Sequence, residues 1–401
     1  MIRHRLALVV ASAVVACGAP DVSPRTAPRT ALDAAIPPAD AVAPEVPDAA
    51  APALDAAESV HDAAPPMADA APAATPAPEV WLKGSTHVHA RPSGDSSTPI
   101  SEVLRWYEDR HYDFIVLTDH NQTSELAKDA PSTAGQVTIT PPGPGLLVLA
   151  GIELTHNPSN CIPAGDNSGK CRIHVNLLGV TGRIAGKLPW ANRKTSDRLL
   201  KYDAALAQQK ILGGVAQLNH PNWFWGINGE LLAELARRGF HLVEIANSAF
   251  KKWNDGDKDH PDLEAVWDAA LAHGVTLWGV ASDDAHDYGD GKRGKYPAGG
   301  GWVVVKAARD PAAILAALEA GHFYSSNGVV LAHAEVEGGA LVVEVAPGER
   351  GSYTIDFIEN GKRVQRVKGR SARRTVPASG YVRARVTRSD GTQAWVQPAR
   401  R

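Results

Sequence analysis

The chain has 401 residues, more than one ordinary domain needs, and its charge is nearly balanced, with 41 Lys and Arg against 44 Asp and Glu. A net charge of −3 argues against a nucleic-acid partner, because nucleic-acid binders usually carry a basic excess. No apolar run approaches the length of about 18 residues that a membrane-spanning helix requires. Three cysteines are too few for a scaffold built on disulfides.

Residues 1–17 are predicted to be a lipoprotein-type signal peptide. Arg3 and Arg5 provide a basic start, and a short apolar run at 6–16 fits a secretory signal. The run ends in the sequence VVAC, which resembles a bacterial lipobox, so we expect lipidation of Cys17. The protein would then be an exported bacterial lipoprotein with a lipid anchor in a membrane, in the periplasm or at the cell surface. The alternative is an ordinary signal peptide cut near Ala19, which releases a soluble protein.

Residues 18–79 are mostly Ala, Pro and Asp and contain no run of large apolar side chains. Such a segment cannot bury enough apolar surface to offset the entropy of ordering. Because prolines favour extended backbone, we expect a disordered but semi-rigid tether.

Residues 80–326 are predicted to form an α/β domain. After a first strand at 80–85, short apolar runs recur with helical patterns between them, the clearest beginning near Ile100, Leu263 and Pro311. Continuous apolarity is typical of strands buried on both faces of a parallel sheet. Repeated strand–helix units favour a TIM-like barrel. The apolar runs lie at 114–117, 146–152, 173–180, 214–218, 242–246 and 275–280.

In residues 327–401 the hydrophobic period changes to two. Asn360-Gly361 and Asp390-Gly391 are strong hairpin signals between alternating segments. The sequence therefore predicts a small antiparallel, β-sandwich-like C-terminal domain.

Metal-ligand residue types follow nearly every predicted strand of the middle domain. His87 and His89 are two residues apart, so on a strand both imidazoles point to the same side. In a barrel the carboxyl ends of all strands meet at one mouth, which indicates a shared metal site. The residues are His87 and His89 after 80–85, Asp119 and His120 after 114–117, Glu153 after 146–152, His174 at the start of 173–180, Asn219 and His220 after 214–218, and Asp283, Asp284 and His286 after 275–280.

Residues 80–326 resemble the PHP (polymerase and histidinol phosphatase) superfamily of metal-dependent phosphoesterases. The export signal and C-terminal β domain are similar to those of its extracytoplasmic, carbaryl-hydrolase-like branch. The resemblance rests on the segments Thr86-His87-Val88-His89, Thr118-Asp119-His120-Asn121, Gly151-Ile152-Glu153, His174, Asn219-His220-Pro221 and Ser282-Asp283-Asp284-Ala285-His286.

The resemblance implies a distorted (β/α)7 barrel with two or three divalent ions. Family members with a clear three-metal site often carry His where this chain has Asp95, six residues after His89. The implied ligands are His87, His89, Glu153 and Asp284 for the first ion, Glu153, His174 and His220 for the second, and Asp95, His120 and His286 for the third.

Imidazole and carboxylate ligands suit Zn, Mn or Fe. Asp119 is expected to orient a ligand, since ligating histidines usually have such a partner. His286 or His120 is a candidate general acid for the leaving oxygen, in the event that its metal is absent.

These ligands imply a metallohydrolase in which a hydroxide bridging two ions attacks an ester. The favoured substrates are small anionic molecules, phosphate mono- or diesters. Two alternatives remain: a hydrolase of carbamate or carboxylic esters using the same site, and a non-catalytic surface binding protein.

Three further features concern the surroundings of the site. Cys161 and Cys171 are predicted to form a disulfide, with two buried free thiols as the alternative. Trp223 and Trp225 follow His220-Pro221 and either line the pocket or belong to the core, and ordinary core packing is the favoured reading. The basic loop 289–301 is either a mobile cover over the site or a solvated surface loop.

Overall fold

The computed structural model describes residues 77–133, 135–136, 145–165, 169–289 and 296–401. The predicted signal peptide with Cys17, nearly all of the predicted tether, and the centre of the loop 289–301 lie outside these ranges. Within them, no helix is long and apolar enough to cross a membrane.

The described chain forms twenty strands, β1 to β20, and six α-helices, α1 to α6. The strands are Val80–Val88, Phe114–Leu117, Ser124–Glu125, Ala130–Pro131, Gly135–Gln136, Leu147–His156, Ile173–Leu178, Gly182–Arg183, Val215–Leu218, Leu242–Asn247, Trp278–Ser282, Trp302–Ala307, Phe323–Ser326, Leu331–Glu337, Ala340–Val345, Tyr353–Glu359, Lys362–Lys368, Ser371–Thr375, Val382–Arg388 and Gln393–Ala399. The helices are Ile100–Glu108, Arg198–Leu212, Gly229–Arg238, Lys251–Asn254, Leu263–Ala272 and Pro311–Ala320.

Thirteen strands form one mixed sheet in the order β11-β10-β9-β7-β6-β2-β1-β12-β13-β20-β19-β16-β17. The pairs β1–β2, β2–β6, β9–β10 and β10–β11 are parallel, as predicted. The prediction of a wholly parallel sheet is wrong at β7, which runs antiparallel to both β6 and β9. The reason is that the described part of the β6–β7 connection contains no crossover helix, the usual link between parallel neighbours.

β1 and β11, the first and last strands of the predicted barrel, approach each other at their carboxyl ends. A parallel bridge joins Val88, the last residue of β1, to Ala285, which follows β11. The backbone N–H of His89 also donates to the Ala285 carbonyl at 3.0 Å. The structure thus establishes a mixed α/β fold, and the closed (β/α)7 barrel stays a prediction.

The C-terminal strands continue the large sheet across the predicted boundary at residue 326. β13 pairs with β12 on one side and β20 on the other, so hydrogen bonding is unbroken there. A separate antiparallel sheet, β14-β15-β18, shares a buried apolar cluster with the extension, including Val343, Ile355 and Val386. The hairpins at Asn360-Gly361 and Asp390-Gly391 are confirmed by the β16–β17 and β19–β20 pairs.

The three clearest predicted helices are confirmed as α1, α5 and α6. The Asp262 side chain accepts a hydrogen bond from the first turn of α5, and that of Asp310 from the first turn of α6. Gly321 closes α6 in the left-handed conformation, with φ 78°. The apolar face of each helix, with the capping residues of α5 and α6, explains why the sequence pattern located these helices well.

A buried ion-pair cluster links the C-terminal strands to α5. Arg383 in β19 is 2% exposed and donates to both Asp268 oxygens at 2.7 and 2.6 Å. Its Nη1 also donates to Glu264 at 2.8 Å. Although burial raises the pKa of Glu264, the guanidinium groups of Arg383 and Arg385 hold it below its usual value.

Replacing Arg383 with Met should lower the free energy of unfolding by about 3–5 kcal/mol, because the largely buried Asp268 carboxylate loses its cation and Glu264 keeps only Arg385. Urea denaturation of the purified protein measures the change. As a control, Lys251→Met removes one partner of the exposed Lys251–Asp255 pair and should cost less than about 1 kcal/mol. Equal effects of the two substitutions would contradict this account.

Candidate metal centre

The nine predicted ligands lie together in the structure, although they come from distant parts of the chain. Because β7 is reversed, its start lies beside the end of β6, where Thr155 pairs with His174. His87 and His89 are at the end of β1, Asp95 follows a short turn after it, His120 follows β2, Glu153 is in β6, His174 is in β7, His220 follows β9, and Asp284 and His286 follow β11.

A first group of ligand atoms belongs to His87, His89 and Glu153, and these atoms lie within 4.8 Å of one another. All three side chains are fully buried. Asp284 completes the group, with its Oδ1 3.1 Å from His87 Nε2 and 3.2 Å from His89 Nε2. This is the set that the family resemblance implies for a first ion.

A second group comprises Glu153, His174 and His220, with ligand atoms again within 4.8 Å. Glu153 Oε1 lies 3.0 Å from His174 Nδ1 and 3.7 Å from His220 Nε2. The same oxygen is 3.3 Å from His87 Nε2 in the first group. Glu153 therefore stands between the two groups, as a bridging carboxylate would.

A third group comprises His89, Asp95, His120 and His286. Asp95 Oδ2 lies 2.9 Å from His120 Nε2 and 3.2 Å from His286 Nε2. The Asp95 side chain is 49% exposed, whereas Glu153 is fully buried. The third group is thus the outer, solvent-facing part of the centre, and it shares His89 with the first.

Two of these residues have unusual backbone conformations. His220 has φ 27° and Asp284 has φ 50°, in the left-handed region that residues other than glycine rarely adopt. Such conformations persist where the surrounding structure enforces them, and they concentrate at functional sites. Here each turn directs its side chain toward the centre just after a parallel strand ends.

Glu244 in β10 is a residue of this site that the sequence analysis did not identify. It is fully buried, and its Oε1 lies 2.7 Å from His87 Nδ1. Its Oε2 accepts from the His220 N–H at 2.6 Å and from Asn247 at 2.9 Å. A carboxylate in this position orients a ligating imidazole. The available signal was a lone acid inside the apolar run 242–246.

Asp119 and Asp283 lie next to the ligands without joining the three groups. The Asp119 carboxylate accepts from the Ala90 N–H at 2.8 Å and from Ser124, so it holds the backbone beside His89 rather than an imidazole. Asp283 accepts from the Gly299 N–H at 2.6 Å. Burial raises the pKa of both carboxyls to about 7.

The donor set fits divalent ions. The Nε2 atoms of His87 and His89 are buried and make no hydrogen bond, and both lie near Asp284 Oδ1. A buried polar atom without a partner normally destabilises the fold by about 1–3 kcal/mol. A cation would remove this cost, because the nitrogen lone pairs and the carboxylate oxygens converge on one place where it could bind to both. Imidazole and carboxylate donors suit Zn, Mn or Fe and do not choose among them.

Two of the candidate ligands have the charge state that metal binding requires. Although burial raises the pKa of Glu153, the imidazoles of His174, His120 and His87 hold it well below its usual value. Burial, together with His286 and His120, lowers the pKa of His89 to about 3. Glu153 is thus an anion and His89 a neutral imidazole, the states that metal ligands need.

Comparison with solved structures finds a two-domain protein from Bacteroides vulgatus that contains a predicted PHP-like metal-dependent phosphoesterase. The two chains share 16% sequence identity with a TM-score of 0.40, and the match covers 80% of this chain and 95% of that chain. No protein-family model matches the sequence, and comparison with curated proteins finds no match. The assignment of a function therefore depends on the geometry of the site.

Replacing Glu153 with Gln should remove most of the bound metal, because the neutral amide no longer offsets the charge of ions on either side. Metal analysis of the purified protein measures the loss. The control Glu319→Gln changes an exposed glutamate of α6 and should leave the metal content unchanged. Full metal loading of Glu153→Gln would show that this carboxylate does not bridge two ions.

Proposed function

We propose that the protein is a metal-dependent hydrolase of phosphate mono- or diesters, built as a PHP-type barrel of the extracytoplasmic, carbaryl-hydrolase-like branch. The observation that carries the proposal is the position of Glu153. This fully buried carboxylate lies within 4 Å of imidazole nitrogens of His87, His89, His120, His174 and His220. A binding protein has little need for so many converging ligands around one buried acid.

In the proposed site, His87, His89, Glu153 and Asp284 would hold one ion, and Glu153, His174 and His220 a second. Divalent ions in such a pair lower the pKa of bound water and neutralise charge that develops on the substrate oxygens. Glu244 and Asn219 keep the ligands in place, since Glu244 bonds His87 and the Asn219 amide donates to Glu153 Oε1 at 2.9 Å. The protein side chains thus present a rigid, negatively charged cradle for the ions.

The third group contains the candidate general acids that would protonate the leaving oxygen. His120 Nε2 and His286 Nε2 both face the half-exposed Asp95 carboxylate. Although burial lowers the pKa of His120, Glu153 and Asp95 raise it to about 10. Without a third ion, either imidazole would lie beside the opening to solvent, where it could donate a proton to a leaving oxygen. With a third ion, Asp95, His120 and His286 become its ligands.

The purified, metal-loaded protein should hydrolyse p-nitrophenyl phosphate or bis-p-nitrophenyl phosphate with Zn, Mn or Fe, and Glu153→Gln should lose nearly all of this activity. Colorimetric release of p-nitrophenol measures the rate, with Glu319→Gln as the matched control. Turnover of 1-naphthyl carbamate alone would favour the carbamate esterase instead. If the fully metal-loaded protein hydrolyses none of these substrates, the result would favour a non-catalytic binding protein.

We further propose that the protein is exported and lipidated at Cys17, so that the catalytic domain is tethered to a membrane. In cells, Cys17→Ser should move the protein from the membrane fraction to the soluble fraction, because a diacyl anchor is lost. Immunoblotting of the fractions measures the shift, with the exposed-site variant Glu319→Gln as a control outside the signal. Unchanged membrane association of Cys17→Ser would exclude the lipid anchor.

A further inference from the structure

Aromatic side chains and a cation border the metal centre where β9 ends. His220 is followed by Trp223 and Phe224, both half-buried. The Trp223 ring lies edge-on to two ligands, 5.3 Å from the His220 ring and 5.7 Å from the His174 ring. Sequence reasoning favoured core packing for Trp223, whereas its partial exposure and these contacts place it at the wall of the site.

The turn that carries these rings has a strained backbone. Phe224 and Trp225 both have φ 57°, a conformation that is a clear outlier for bulky residues. The turn is held by Asn222, whose amide donates to the Trp253 carbonyl at 2.7 Å, and by Trp225, which stacks on His260 at 4.2 Å. Trp225 thus anchors the turn, and all three rings are partly open to solvent.

Arg172 lies against both open rings. Its guanidinium carbon is 5.0 Å from the Trp223 ring centre and 4.8 Å from that of Phe224. Arg172 directly precedes β7 and is two residues before His174, so the alternation of side chains places both on the same face of the chain. The shared contact with Trp223 agrees with this placement.

The charge of Arg172 has no acidic partner among the described residues. Its Nη1 donates a hydrogen bond to the Cys171 carbonyl at 2.7 Å. A half-buried cation with no acidic partner among the described residues is costly, and an anionic ligand would relieve that cost.

Neighbouring covalent and aromatic contacts hold Arg172 in place before a ligand binds. Cys171, its neighbour, forms a buried disulfide with Cys161. The Cys161 N–H further donates to the Gly169 carbonyl at 2.8 Å. A cation held by a disulfide on one side and two rings on the other loses little conformational entropy on binding.

We propose that Arg172, held against Trp223 and Phe224, binds a non-bridging oxygen of the substrate phosphate and makes the site selective for anionic over neutral esters. This inference rests on the proposed function. A planar guanidinium is well matched to phosphate oxygens and to stacking on aromatic faces, which a lysine in its place would not reproduce.

Three variants test the proposal in the metal-loaded, full-length protein. Arg172→Met keeps the aliphatic contact with the rings but removes the charge, Arg172→Lys keeps the charge, and Arg105→Met removes an exposed arginine of α1 as a control. For Arg172→Met, kcat/KM on p-nitrophenyl phosphate should fall about 10- to 100-fold, the loss expected for charge-assisted hydrogen bonds. The kcat/KM of Arg172→Lys on the same substrate should lie between the values of Arg172→Met and the parent protein.

Two further readouts separate recognition from a structural role. Binding of inorganic phosphate, measured by calorimetry, should weaken by a similar factor in Arg172→Met. Metal content, and any turnover of the neutral p-nitrophenyl acetate, should stay unchanged. Equal phosphate affinity in parent and variant, or loss of metal in Arg172→Met, would overturn the proposal.

The calorimetric measurement also distinguishes this inference from the proposed function. If the parent protein hydrolyses no ester but its phosphate affinity still depends on Arg172, the anion site stands and the phosphoesterase proposal fails. If the parent hydrolyses phosphoesters and Arg172→Met matches it in rate and phosphate affinity, the phosphoesterase stands and the role of Arg172 is rejected.

Discussion

The burial of the Glu153 carboxylate is the constraint on which the rest of the site depends. A fully buried carboxylate is prohibitively costly without cations or hydrogen-bond donors around it. The chain meets this requirement with imidazoles from β1, β7 and the segments after β2 and β9, and with the Asn219 amide. Because these donors come from separate strands, the anion can be accommodated only when the whole sheet has assembled.

The surrounding fold is arranged so that these strands meet. The reversal of β7 brings its first residues, including His174, to the end where the parallel strands β1, β2 and β9 finish. The bridge from Val88 to Ala285 brings the segment after β11 to the same place. The left-handed turns at His220 and Asp284 then direct two further side chains inward. The bridge and the two left-handed turns thus bring side chains from separate strands to the same site.

The site has two chemically different borders. Toward the third group, the half-exposed Asp95 faces His120 and His286 and gives an acidic, open edge. Toward the second group, Arg172, Trp223 and Phe224 give a cationic and aromatic edge beside His174 and His220. An ester bound across the centre would meet a carboxylate and imidazoles at one end and a guanidinium at the other. Under the proposed function, the candidate ligands would set the reaction class, and these borders would favour anionic substrates within it.

The sequence alone predicted most of the candidate ligands that the structure brings together, because they lie at or near the ends of apolar strands, whereas Asp95 was predicted only from the family resemblance. Local patterns such as caps, hairpin dipeptides and buried runs report on local structure. Tertiary structure decided the rest. The reversal of β7, the continuation of the sheet through β13 into β20, and the pairing of Glu244 with His87 are contacts between segments far apart in the chain. Such hydrogen bonds and electrostatic pairs form between residues that are close in space but far apart in the chain. The hydrophobic periodicity of a single segment therefore cannot predict them.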